Sequence, residues 1–96
     1  MMVLVSYDVS TKTADGVRRL RKISEICLDN GLRVQNSVFE CNVDPARWEN
    51  LKERLLSMYD ADEDNLRFYF LGSNWKRRVE HHGNGTIGDI EDTLIV

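Results

Sequence analysis

One proline, two cysteines and two histidines are all that 96 residues hold of those three types, and this scarcity closes off several kinds of chemistry. Cys27 and Cys41 stand too far apart for a CxxC redox or zinc unit, and each falls in an apolar rhythm, so both read as buried, reduced thiols. His81 and His82 are adjacent, and neighbours on an extended strand point to opposite faces, which keeps them from sharing one ion. Apolar runs extend over only a few residues, well short of the roughly 20 that a membrane helix needs. The amino terminus lacks a basic region followed by an apolar stretch and a cleavage site, so export is not expected and the expected location is cytoplasmic. No linker-like or low-complexity segment interrupts the chain. One domain over 1–96 is expected, with a core of about 1–82 and a carboxyl-terminal loop and strand over 83–96.

What is present describes a compact domain: 30% charged and 42% hydrophobic residues. A chain this short buries only roughly 60 to 68 per cent of its unfolded surface, so a larger core needs a second subunit and an oligomer is expected. The net charge of −3 is unevenly spread. Between Lys12 and Arg33 lie Lys12, Arg18, Arg19, Arg21, Lys22 and Arg33 against Asp15, Glu25 and Asp29, and a second basic cluster is Lys76, Arg77 and Arg78. The acids gather in Asp60, Asp62, Glu63 and Asp64, and again in Asp89, Glu91 and Asp92. One surface can therefore be positive while the average is negative, which suits a polyanion. The plainer alternative is that the arginines of the first helix are only its solvated face.

The periodicities give the elements in order. Val3 to Tyr7 make a nearly continuous, β-branched first strand that stops on Asp8. Helix one runs from Ala14 or Asp15 to Leu28, with Val17, Leu20, Ile23, Ser24 and Cys27 on one stripe, and ends at Asn30 and Gly31. Strand two covers Arg33 to Val43, and Asp44 with Pro45 form the cap and first turn of helix two. That helix carries Trp48, Leu51, Leu55, Met58 and Tyr59 at core spacing. An acidic turn, Asp60 to Asn65, leads to strand three, Leu66 to Leu71, and strand four is expected at Trp75 to His81. The order reads as βαββαβ, an α+β ferredoxin-like fold with an antiparallel sheet in which strands one and three are central. Both helices then cover one sheet face, and a second copy packing sheet against sheet covers the other, giving a homodimer. Thr93 to Val96 read as a short fifth strand, reached through the loop Gly83 to Gly88 and pairing with a sheet edge, by preference the partner's.

Function is sought first at the end of strand one. An apolar strand that delivers a single carboxylate to its carboxyl end, ahead of a basic helix, suggests a metal-dependent or phosphate-facing site. Asp8 falls on the strand face of Leu4 and Ser6, opposite Val3, Val5 and Tyr7. The competing reading is that Asp8 caps its own turn across Val9, Ser10 and Thr11.

The strand Met2 to Asp8, the helix with Arg18, Arg19, Leu20, Arg21 and Lys22, and the run Arg33, Val34, Gln35, Asn36, Ser37, Val38, Phe39, Glu40 and Cys41 together resemble the small CRISPR-associated endoribonucleases of the spacer-adaptation module, the Cas2 family. Phe68 to Leu71, Gly72, Val79, Glu80, His81 and Ile90 to Val96 further resemble the subtype I-C members. The resemblance implies a ferredoxin-like homodimer that sits between copies of the CRISPR integrase, Cas1, and holds a double-stranded DNA prespacer on its basic surface. It also implies a metal-dependent endonuclease acting on RNA or double-stranded DNA with Mg2+ or Mn2+. Carried over by position, Asp8 is the metal ligand, with Tyr7, Ser10, Arg33 and Phe39 as further active-site residues. Arg18 or Arg19 is the family's helix arginine, and Arg18, Arg19, Arg21, Lys22, Lys76, Arg77 and Arg78 form the nucleic-acid surface.

The metal role is chemically reasonable if two subunits contribute. Mg2+ takes about six oxygens, several of them from water, so one or two carboxylates and a substrate phosphate suffice. A lone Asp8 is a weak site, whereas two copies meeting at a dimer axis can share an ion. Taken singly, Arg33 also reads as a solvated strand residue, and Phe39 and Tyr7 as core. Two function classes stay open beside the nuclease: a scaffold that binds duplex phosphates without relevant catalysis, and a toxin-like RNase.

Overall fold

The computed structural model describes residues 1–83. Its elements are β1 (Met2–Asp8), α1 (Ala14–Leu28), β2 (Leu32–Gln35), β3 (Val38–Asn42), α2 (Pro45–Met58), β4 (Asn65–Gly72) and a single 3-10 turn at Trp75–Arg77. The strands form one antiparallel sheet in the order β2-β3-β1-β4. This is the βαββαβ arrangement anticipated from the sequence.

Each helix starts on a side-chain cap. The Thr13 hydroxyl accepts from the Gly16 amide at 3.1 Å, and Asp44 accepts from the Arg47 amide at 2.7 Å with Pro45 at the first helical position. These bonds satisfy amides that have no partner within their own helix. Strand β1 alternates as its sequence alternates: Val3, Val5 and Tyr7 are buried under the helices, while Leu4 and Ser6 are half-buried and Asp8 is exposed on the other face. The core between sheet and helices is built on Val3, Val5, Phe39, Ile23, Leu51 and Leu55. Trp48 seals one side of it, edge-on to Phe68 at 4.9 Å and to Phe70 at 5.5 Å between ring centroids. Cys27 and Cys41 are free and buried, and burial pushes their thiols up to about 12 and about 11. They are the inert thiols expected of them.

Four elements differ from their sequence readings. The run Arg33 to Val43 is two strands, because the chain reverses at Asn36 and Ser37 and β2 pairs with β3 across that turn. The second central strand is therefore β3, and the stretch Leu66 to Leu71 lies in β4, at the edge of the sheet formed by the described residues. The strand expected at Trp75 to His81 is instead the 3-10 turn, with the Arg78 amide donating to the Trp75 carbonyl at 2.8 Å. Gly72, at φ +76°, ends β4 in a conformation that side chains rarely adopt and turns the chain off the ladder. The stripe of α1 is also rotated from the expected one: Gly16, Ile23, Ile26 and Cys27 are buried and Val17 is half exposed. Gly16 permits this because the helix lies against the Ser10 carbonyl oxygen, where a Cβ would collide. The fifth strand expected at Thr93 to Val96 lies outside the described residues.

Among the described residues the sheet face opposite the helices is uncovered. It presents Leu4, Ser6 and Asp8 from β1, Val38 and Glu40 from β3, and Arg67 and Tyr69 from β4, as the pairings Ser6 with Val38 and Arg67, and Leu4 with Glu40 and Tyr69, require.

Candidate metal and nucleic-acid site

Asp8 is the last residue of β1, paired with Asn65 of β4, and the alternation of the strand turns its side chain to the uncovered face. Among the described residues its carboxylate accepts no hydrogen bond and meets no cation. The reading of Asp8 as a cap for its own turn is therefore not realised. An open hollow of about 600 Å³ lies beside it, lined by residues 8–12 and 62–65.

The back of that hollow is held by Asp64. Its Oδ1 accepts from the Ser10 amide at 3.1 Å and from Arg19 Nη2 at 3.2 Å, and its Oδ2 accepts from Arg19 Nε at 2.8 Å and from the Asp60 amide at 2.9 Å. The Asp64 side chain is 0% exposed and that of Arg19 only 13%. The Arg19 guanidinium, helped by the amides of Asp60 and Ser10, holds the Asp64 carboxyl below its usual range, and the hydrogen bond to Asp64 raises Arg19 in turn.

The sequence-derived site residues separate into two groups. Asp8 and the Ser10 backbone border the hollow. Tyr7 and Phe39 do not: both are buried on the helix side, 6.1 Å apart between ring centroids, and the Tyr7 hydroxyl donates to the Asn36 carbonyl at 3.4 Å. Arg33 also turns to the helix side, its guanidinium 5.1 Å from the centre of the Phe39 ring and donating to the Ser24 hydroxyl. Tyr7, Arg33 and Phe39 thus form one packed cluster beneath the sheet, on the face away from Asp8. Strand alternation explains the separation, since Tyr7 precedes Asp8 and Val5, on the same side as Tyr7, pairs with Phe39.

The cationic surface is also narrower than the sequence suggested. Arg18, Arg21 and Lys22 are exposed on the outer face of α1, with Arg18 paired to the equally exposed Asp15. Arg19 is taken out of this set by Asp64. Lys76, Arg77 and Arg78 are exposed on the 3-10 turn, with Lys76 Nζ 5.8 Å from the centre of the Trp75 ring. Arg67 was not singled out from the sequence, yet it shares the Asp8 face two residues along β4 from Asn65 and donates to the Tyr69 hydroxyl at 3.2 Å. The signal was its position in β4, on the alternate side from Leu66, Phe68 and Phe70.

Among the described residues no three His, Cys, Asp or Glu side chains are grouped to hold a metal. Asp8 shares the open, polar hollow with the exposed Asp62 and Glu63, and carboxylates of this kind suit a hard cation that keeps most of its water.

An antiparallel α+β sandwich with ferredoxin-like topology, one unpaired acid at a strand end and cations on its first helix is a small domain suited to a polyanionic substrate. The chain belongs to the CRISPR-associated Cas2 family: the family model described as "CRISPR associated protein Cas2" matches residues 1–79. It is 58% identical over 96 residues to the CRISPR-associated endoribonuclease Cas2 of Chlorobaculum tepidum, covering 100% of both chains. It is 50% identical over 95 residues to the CRISPR-associated endonuclease Cas2 of Halalkalibacterium halodurans, covering 99% of each. The crystal structure of Streptococcus pyogenes Cas2 at pH 6.5 superposes with a TM-score of 0.75 at 55% identity, over 86% of this chain and 100% of that one.

Proposed function

We propose that the chain acts in CRISPR adaptation as a homodimer that binds a duplex DNA prespacer and bridges subunits of the integrase Cas1. In this reading it also carries a metal-dependent endonuclease activity on RNA or double-stranded DNA, with Mg2+ or Mn2+ held by Asp8 from two subunits. The carrying observation is the Asp8 carboxylate itself, exposed and unpaired on the uncovered sheet face. The names of the relatives, endoribonuclease and endonuclease, support the reaction class. A bound divalent ion would lower the pKa of a coordinated water and stabilise charge on the phosphate. The chain's own part is to present the Asp8 oxygens and to hold the polyanion with Arg18, Arg21, Lys22 and the cluster Lys76 to Arg78. The carboxyl-terminal resemblance supports a subtype I-C system, and the short apolar runs of the sequence support a cytoplasmic setting. No described helix is long and apolar enough to cross a membrane.

A purely structural scaffold is the second reading. It is favoured by the lack, among the described residues, of a grouped set of metal-binding side chains around Asp8. Replacing Asp8 by Asn separates the two. If the acid holds the metal, the variant loses divalent-dependent cleavage while duplex binding and integrase-supported spacer acquisition persist. Cleavage that survives the change removes Asp8 from the nuclease role and leaves the scaffold standing.

A further inference from the structure

Asp64 ties together three segments that bound the hollow beside Asp8: the loop after β1 through the Ser10 amide, α1 through Arg19, and the turn before β4 through the Asp60 amide. Ser10 is two residues past Asp8, so its amide is an anchor close to the reactive acid. On its other side the Ser10 carbonyl lies against Gly16, where a Cβ would collide. The loop is thus held at its amide by a carboxylate and at its carbonyl by a helix. Neither contact belongs to the sheet ladder or to the Thr13 cap, whose hydrogen bonds do not involve the Asp64 side chain.

We propose that Asp64, locked by the two-pronged Arg19 contact, is a positioning residue that fixes the loop following Asp8 and so presents the Asp8 carboxylate to metal and phosphate in one orientation. The physical reason is preorganisation: a ligand carried on a freely moving strand end loses orientational entropy each time it binds an ion, and a pre-anchored one does not. The proposal rests on the nuclease reading of Asp8.

The test uses the full chain. Asp64→Asn keeps the side-chain size but removes the charge that holds Arg19, and Arg19→Lys keeps the charge but gives up the planar fork. Partners that orient a metal ligand typically account for 10- to 100-fold in metal affinity or activity, so Asp64→Asn should lower kcat by about tenfold or more and raise the half-saturating Mg2+ concentration by a similar factor. Its metal-free affinity for duplex should not change, and Arg19→Lys should fall between it and the parent. Leu55→Val, a core change that also lowers Tm, should keep the parental kcat and Mg2+ dependence well below its melting temperature, which separates positioning from simple destabilisation. Parental kinetics in Asp64→Asn, or in Arg19→Lys where the first variant does not fold, overturns the inference alone. A parent that does not cleave, or an Asp8→Asn variant that cleaves equally well, overturns the nuclease reading and the role of Asp64 with it.

Discussion

Of the four acids that line the hollow, Asp8 and Asp64 differ most through their surroundings. Asp8 is exposed and unpartnered, whereas Asp64 is enclosed by four donors and held below the usual carboxylate range by Arg19 and two amides. The second condition links folding to acidity. A carboxyl whose folded pKa is depressed contributes its stability above the unfolded value of about 3.9, and loses it as the pH falls through and below that value. The Tm of the parent should therefore drop more steeply than that of Asp64→Asn below about pH 4, with the two curves parallel at neutral pH. Parallel curves throughout would mean that Asp64 titrates alike in the folded and unfolded chain. None of this was legible in the sequence, where Asp64 was one acid in an acidic turn. Its role depends on the pairing of Asp8 with Asn65, which brings residues 57 positions apart in the chain side by side.

At the level of elements, α1 divides its cations by direction. Arg19 points inward to Asp64, while Arg18, Arg21 and Lys22 face solvent. Phosphate contacts release counterions, so converting Arg18, Arg21 and Lys22 to Ala should weaken duplex binding and flatten the slope of log K against log salt by about one unit per lost contact. An unchanged slope in a binding titration over a salt series would exclude α1 as the nucleic-acid face. Much of this level was readable beforehand. The alternation of Val3, Val5 and Tyr7 against Leu4, Ser6 and Asp8 placed β1 and its acid, and Asp44 with Pro45 marked the start of α2. The hairpin at Asn36 and Ser37 was missed because the residues on either side are equally suited to strands and the reversal is carried by a short polar pair. The 3-10 turn at Trp75–Arg77 reads as a strand in sequence because the left-handed Gly72 that diverts the chain resembles any other glycine there. Tyr7, Arg33 and Phe39 were grouped with Asp8 by resemblance, while strand geometry sends them to the other side of the sheet.

For the whole molecule, the helices and one sheet face make the core, and among the described residues the other face is uncovered. Strand β1 lies in the middle of the sheet and serves both halves. Inserting one alanine between Leu4 and Val5 would invert the facing of every side chain on one flank of the insertion relative to the other. Such a chain should fail to yield soluble protein with a cooperative melting transition, whereas a one-residue insertion at the exposed Asp62 should be tolerated. A cooperative, parent-like melt from the β1 insertion would refute this. The aspartate and the valines are thus read on a single odd–even count, so this strand is frame-sensitive: a length error among the valines that misplaces the acid also dismantles the fold.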